Sequence, residues 1–95
     1  MKIFLLHYDE YDFYDNYFDH IYTMAFKDYE SALEYYKSER DNIIANWLSI
    51  SGDESLEEFE QCNYLDDEEN FLKIEMDDHG YSELWIQETD LLEFI

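Results

Sequence analysis

Carboxylates outnumber basic side chains 26 to 5 in this chain of 95 residues, a formal net charge of -21. Whatever it folds into must hold that self-repulsion within one small body, because a chain of this length makes one domain, residues 1–95, and not two. Charge on this scale usually accompanies disorder, and disordered acidic chains are poor in aromatic and β-branched residues. Here 46% of the residues are hydrophobic and 20% aromatic, with 10 Tyr, 7 Phe and 2 Trp, no Pro and 2 Gly. The chain has the side chains to build a core. A folded domain is expected, with stability that rises with salt and with mild acidification as the repulsion weakens.

The same excess excludes several partners. A phosphate backbone repels the chain, so direct binding of DNA or RNA is not expected, and neither is an anionic membrane surface. No apolar run reaches the ~18 residues of a membrane span. The expected partner is basic. A single cysteine, Cys62, allows no intrachain disulfide and fits a reducing, cytoplasmic setting. The opening Met1–His7 starts like a signal peptide, but its apolar run is four residues, short of the roughly 7–15 that such a segment needs. Asp9 and Glu10 follow at once.

Residues 2–8 (KIFLLHY) are apolar and partly aromatic, which suits a well-buried strand. Residues 9–19 alternate acids with aromatics and have no helical period; they form either a loop or a strand extension that exposes carboxylates. Residues 20–26 make a second strand. Asp28 is placed to cap a helix at about 28–49, whose apolar positions Tyr29, Ala32, Leu33, Tyr36, Ile43, Ile44, Trp47 and Leu48 share one face. Gly52 stops it. Ser55 with Glu58 matches a capping box and starts a short helix at about 54–62 that buries Leu56 and Phe59, with Cys62 as a further candidate for burial. The run 66–69 (DDEE) reads as a charged loop. Strands are expected at 71–77 and 81–88 around the turn Asp78-His79-Gly80. The apolar tail, with Leu91, Leu92, Phe94 and Ile95, is expected to dock. The order ββααββ predicts an α+β fold: a four-stranded antiparallel sheet with one long and one short helix packed on one face.

Catalytic chemistry finds no motif, and no enzyme is expected. Asp9, Asp12 and Asp15 lack the spacing and the glycine of an EF-hand loop, and Cys62 has no CxxC partner. His79 beside Asp77 and Asp78 reads as a polar turn, and His7 as a satisfied strand residue. No serine sits in a G-x-S-x-G elbow. Carboxylate pairs for acid–base work are so numerous that none stands out. No glycine-rich phosphate loop and no basic patch occur, and no metal, cofactor or catalytic residue is assigned.

The charge itself is the informative feature. A compact domain of this length has a radius of gyration of roughly 12 Å and a diameter of about 32 Å. Duplex DNA of about that length carries ~19 charges, close to the -21 found here. Ordinary domains need a net charge of only about 2–8 for solubility, so the excess points to a partner whose Lys and Arg normally hold phosphates. In size and charge the chain resembles small acidic phage proteins of the anti-restriction and anti-CRISPR kind. That resemblance implies an inhibitor that mimics nucleic-acid charge and blocks a DNA- or RNA-binding protein or a nuclease. An immunity protein or antitoxin against a basic nuclease toxin uses the same acids in one focused patch, and a non-inhibitory acidic interaction module is a further reading.

Three acidic groups are assigned to the partner surface: Asp9, Glu10, Asp12, Asp15 and Asp19; Glu54, Glu57, Glu58 and Glu60; and Asp66, Asp67, Glu68 and Glu69. Tyr11, Tyr14 and Tyr17, interleaved with the first group, supply anchors that fit between basic side chains, although rings in this stretch equally suit a core. Self-repulsion favours a monomer; a homodimer needs a compensating apolar patch.

Overall fold

The computed structural model describes residues 1–90. Five strands, β1 (Lys2–Asp12), β2 (Tyr17–Phe26), β3 (Tyr64–Asp67), β4 (Phe71–Met76) and β5 (Gly80–Asp90), and two helices, α1 (Tyr29–Ser51) and α2 (Leu56–Cys62), follow one another as ββααβββ. The strands form one sheet in the order β2-β1-β5-β4-β3, and every neighbouring pair is antiparallel.

The α+β class, the antiparallel pairing and the two helices are as expected; the strand count of four is not. The additional strand is β3. Its Asp66 and Asp67 have low strand propensity and read as loop, but Leu65 beside them packs against the core. The pairs Tyr64↔Glu75 through Asp67↔Leu72 then satisfy its backbone along β4. Tertiary pairing overrides local propensity here, and only Glu68 and Glu69 of the acidic run remain in the connection to β4.

The acid–aromatic segment 9–19 takes the strand-extension form. Alternation along β1 and β2 carries the hairpin out to Asp12↔Tyr17. The turn at its tip includes Asn16 at φ 51°, a left-handed conformation that Asn tolerates better than most residues. One bulge interrupts the ladder: Tyr8 pairs with Tyr22 but Asp9 pairs with His20, leaving Ile21 unmatched. The extra residue brings a histidine opposite Asp9.

Both helices begin and end as their sequences specify. The Asp28 carboxylate accepts the Ser31 amide at 2.8 Å, a hydrogen bond that holds this carboxyl below the usual carboxylate range. Gly52, at φ 78°, returns its amide to Leu48 O. Ser55 Oγ accepts the Glu58 amide at 3.3 Å, while the Glu58 carboxylate accepts the Glu54 amide at 3.1 Å, one residue outside a regular capping box.

The core lies between the helices and one face of the sheet. Leu6, Leu72, Ile74 and Leu84 from the strands meet Tyr36, Ile43, Ile44 and Trp47 from α1 and Phe59 from α2. Arg40, which interrupts the apolar face of α1, reaches across to β3 and binds the Asp67 carboxylate through Nε and Nη2. The apolar tail from Leu91 to Ile95 lies outside the described residues.

Candidate partner-binding groove

The β1–β2 hairpin and the β4–β5 turn run together past the end of the helical layer. Phe13 N–H donates to His79 O at 2.9 Å and ties the two tips. Tyr11 stacks on Tyr81 with ring centroids 5.6 Å apart and planes 6° from parallel. Tyr14 meets the edge of His79 at 6.2 Å. Between this extension and the last turns of α1 lies an open groove of about 390 Å³.

Six of the residues assigned from sequence line it: Glu10, Tyr11, Asp12, Tyr14, Tyr17 and Asp19. Alternation puts Glu10, Asp12, Tyr17 and Asp19 on one side of the hairpin, since Glu10 pairs with Asp19 and Asp12 with Tyr17, whereas the Tyr11 ring lies on the other side and stacks on Tyr81. The other wall consists of Asn46, Trp47 and Ile50 of α1, with His79 and Tyr81. Tyr14 and Tyr17 are 79% and 60% exposed, enough to present most of each ring to a partner. Among the described residues no basic side chain pairs with Glu10, Asp12 or Asp19. Asp12 accepts the Tyr14 amide at 2.9 Å and shapes the turn. Glu10 accepts the Tyr8 hydroxyl, whose proton is held well above the usual tyrosine range by burial first and by this hydrogen bond second. The groove therefore offers carboxylates beside aromatic faces, a setting that receives a Lys or Arg side chain by charge-assisted hydrogen bonds and cation–π contact.

The remaining assigned residues do not join them. Asp9 sits on the opposite face of the sheet, with its carboxylate 14% exposed and engaged by His20 Nδ1. Asp15 is exposed in the hairpin turn. Glu54, Glu57, Glu58 and Glu60 are exposed on and before α2. That helix packs against β3, on the sheet edge opposite β2, four strand spacings or roughly 19 Å away. Within the third group, Asp67 is taken by Arg40 and Asp66 lies opposite Lys73 in the β3–β4 register. Glu68 and Glu69 stay exposed.

Charge density changes as well. The molecule measures 51 × 28 × 15 Å, with a radius of gyration of 15.0 Å rather than the roughly 12 Å of a compact globule. Setting Glu93 aside, the described residues carry a net -20, about one charge per 2.5 Å of the long axis against ~1.7 Å for duplex DNA. The match to a duplex that a compact globule implies is corrected downward, because a single sheet with a protruding hairpin is longer than a sphere of the same mass.

Sequence reasoning missed the far wall of the groove. Ile50, 46% exposed at the end of α1, was the available signal, since it stands off the buried face of its helix. His79 gave none, as a turn histidine reads as solvated. Among the described residues no three His, Cys, Asp or Glu side chains come together to hold a metal ion, and no helix is long and apolar enough to cross a membrane. Comparison with protein-family models, curated proteins and solved structures finds no match to this chain.

Proposed function

We propose that this chain is a non-catalytic acidic inhibitor that acts in the cytoplasm. It occupies the phosphate-binding surface of a basic DNA- or RNA-binding protein or nuclease, in the manner of anti-restriction and anti-CRISPR proteins. The observation that carries this reading is the groove, where three unpaired carboxylates and three tyrosines assigned from sequence line one depression. The exposed acids of α2 and of the β3–β4 connection add a field that steers a basic partner toward the molecule.

A second reading is a dedicated antidote to one basic nuclease, an immunity protein or antitoxin. The focus of aromatic anchors and acids in one place, and a charge density below that of a duplex, support it.

The test is retention of bacterial lysate proteins on the immobilised chain across a salt ladder, run beside a Glu10→Lys/Asp12→Lys/Asp19→Lys variant. Several nucleic-acid-binding proteins that leave at moderate salt, yield to added duplex DNA and are lost by the variant fit the mimic. One protein that resists high salt and ignores DNA fits the antidote. Equal retention by the variant, or no basic protein at any salt, overturns both.

A further inference from the structure

His7 and His20 share the sheet face turned away from the helices, and a break in the ladder puts them there. Along β1 and β2 the regular register pairs His7 with Thr23 and Tyr8 with Tyr22. Continued without a break, it would set Ile21 opposite Asp9 and turn His20 with Glu10 to the helical side. The bulge at Ile21 sets His20 opposite Asp9 instead, on the face of His7. Bulges recur where a strand re-aims a side chain beside a functional site.

Both rings are oriented through their distal nitrogens. His20 Nδ1 lies 2.5 Å from Asp9 Oδ1, and a carboxylate only accepts, so this nitrogen carries a proton. His7 Nε2 lies 2.8 Å from Gln87 Oε1, also an acceptor, so it carries the proton of that ring. In the neutral imidazoles the other two nitrogens, His20 Nε2 and His7 Nδ1, are then bare lone pairs. Both converge on one atom, Thr23 Oγ1, at 2.8 Å and 2.9 Å. A hydroxyl has a single proton and can donate it to only one of them. The second lone pair faces an oxygen with no hydrogen between them.

A cation removes that conflict. Histidines that bind a metal hold their other ring N–H on a carboxylate or a carbonyl, which fixes tautomer and orientation. Asp9 and Gln87 supply those two acceptors here. We propose that His7 Nδ1 and His20 Nε2 bind a divalent late transition-metal ion, Ni2+, Cu2+ or Zn2+, beside the Thr23 hydroxyl. Bonds of about 2.0–2.1 Å draw the rings inward, and the His20 side chain, 49% exposed, has room to turn. No third His, Cys, Asp or Glu joins them among the described residues, so water completes the coordination. Imidazole suits these ions, whereas Mg2+ and Ca2+ prefer oxygen ligands. The net charge of -21 raises the local concentration of any dication. This site is separate from the groove and does not depend on the inhibitor reading.

Titration of the full chain with Cu2+ or Zn2+ tests it, in millimolar Mg2+ to occupy the exposed carboxylates. Cu2+ at His7 should quench Trp85, whose ring stacks on the His7 imidazole at 4.9 Å, and should saturate at one ion per chain. Histidine-ring 15N spectra with Zn2+ should shift His7 Nδ1 and His20 Nε2 and leave the His79 ring unmoved. Removal of an orienting partner from a metal-bound histidine costs about 10–100-fold in affinity. Asp9→Asn should fall in that range, and His20→Gln, at an exposed position, should cost more, with the circular dichroism unchanged. His79→Gln should change nothing. Absence of saturable uptake, uptake that His20→Gln leaves intact, or ring shifts confined to His79 overturns the proposal. So does a ring spectrum in which His7 and His20 are satisfied by a shared proton and admit no ion.

Discussion

The Trp47 indole donates its Nε1–H to Ser82 Oγ at 2.9 Å, a buried hydrogen bond that joins α1 to the central strand β5. Ser82 is 1% exposed and is the one buried polar side chain among the described residues. Removing its hydroxyl leaves the indole N–H inside the core without a partner. Ser82→Ala should cost about 1–3 kcal/mol. In a double-mutant cycle with Trp47→Phe the two losses should fall short of additive by about 1 kcal/mol. Urea denaturation of the four proteins decides it; strict additivity would mean that the bond contributes nothing.

The two glycines should respond to the same substitution very differently. Gly80 opens β5 at φ 147°, and a Cβ there would stand 1.8 Å from Tyr11 O. The obstacle is backbone and cannot turn aside, so Gly80→Ala should cost at least about 3 kcal/mol and separate the hairpin tips that form the groove. Gly52, at φ 78° with nothing within 4 Å of a new Cβ, should lose only about 1 kcal/mol as alanine, the cost of a left-handed L-residue. Thermal melts of both variants compare them directly, and equal losses would contradict the geometry.

Alkaline pH should unfold the protein cooperatively. The protons of Tyr8, Tyr22 and Tyr36 are held above the ordinary tyrosine value of 10.0, in each case by burial first, then by the Glu10 hydrogen bond, the Glu39 charge and the Asp67 charge respectively. A folded-state value above the unfolded one contributes stability that is complete below pH 10 and is lost as the pH climbs beyond it, because the unfolded chain releases these protons first. Tyrosinate absorbance and far-UV circular dichroism should therefore change together above pH 10. Gradual ionisation of these three tyrosines with the fold intact would be the contrary result.

Salt should stabilise the monomeric fold. Exposed acids on α2, on the β3–β4 connection and on the hairpin repel one another across water, and that repulsion is screened beyond about 10 Å at ~0.1 M salt. Between about 0.02 and 0.5 M NaCl a gain of roughly 1 kcal/mol, or about 4–8 °C in Tm, is expected for a chain of this size. A Tm that falls with salt would show that ion pairs such as Arg40–Asp67 outweigh the repulsion.

Local signals were legible wherever a residue's role depends on its near neighbours. Asp28, Gly52 and Ser55 announce the helix ends because capping is decided within one turn. The 3–4 spacing from Ala32 to Trp47 announces the buried face because a helix brings those side chains together by its own geometry. The concentration of acids and tyrosines between Tyr8 and Asp19 announces a distinctive surface, since β alternation displays every second residue of a hairpin on one side.

What the linear order could not show depends on contacts between distant segments. The acidic strand β3 exists because Leu65 reaches the core and β4 supplies hydrogen bonds, while its own propensity argues against it. Asp9 and Glu10 are adjacent in sequence, yet the pleat sends one to His20 on the sheet face turned away from the helices and the other into the groove. The sequence alone determined composition, charge and the local punctuation of helices, because these are properties of single residues and short windows. Only the tertiary structure decided which carboxylates are free and which are engaged, because pairing in space obeys distance between side chains and not separation along the chain.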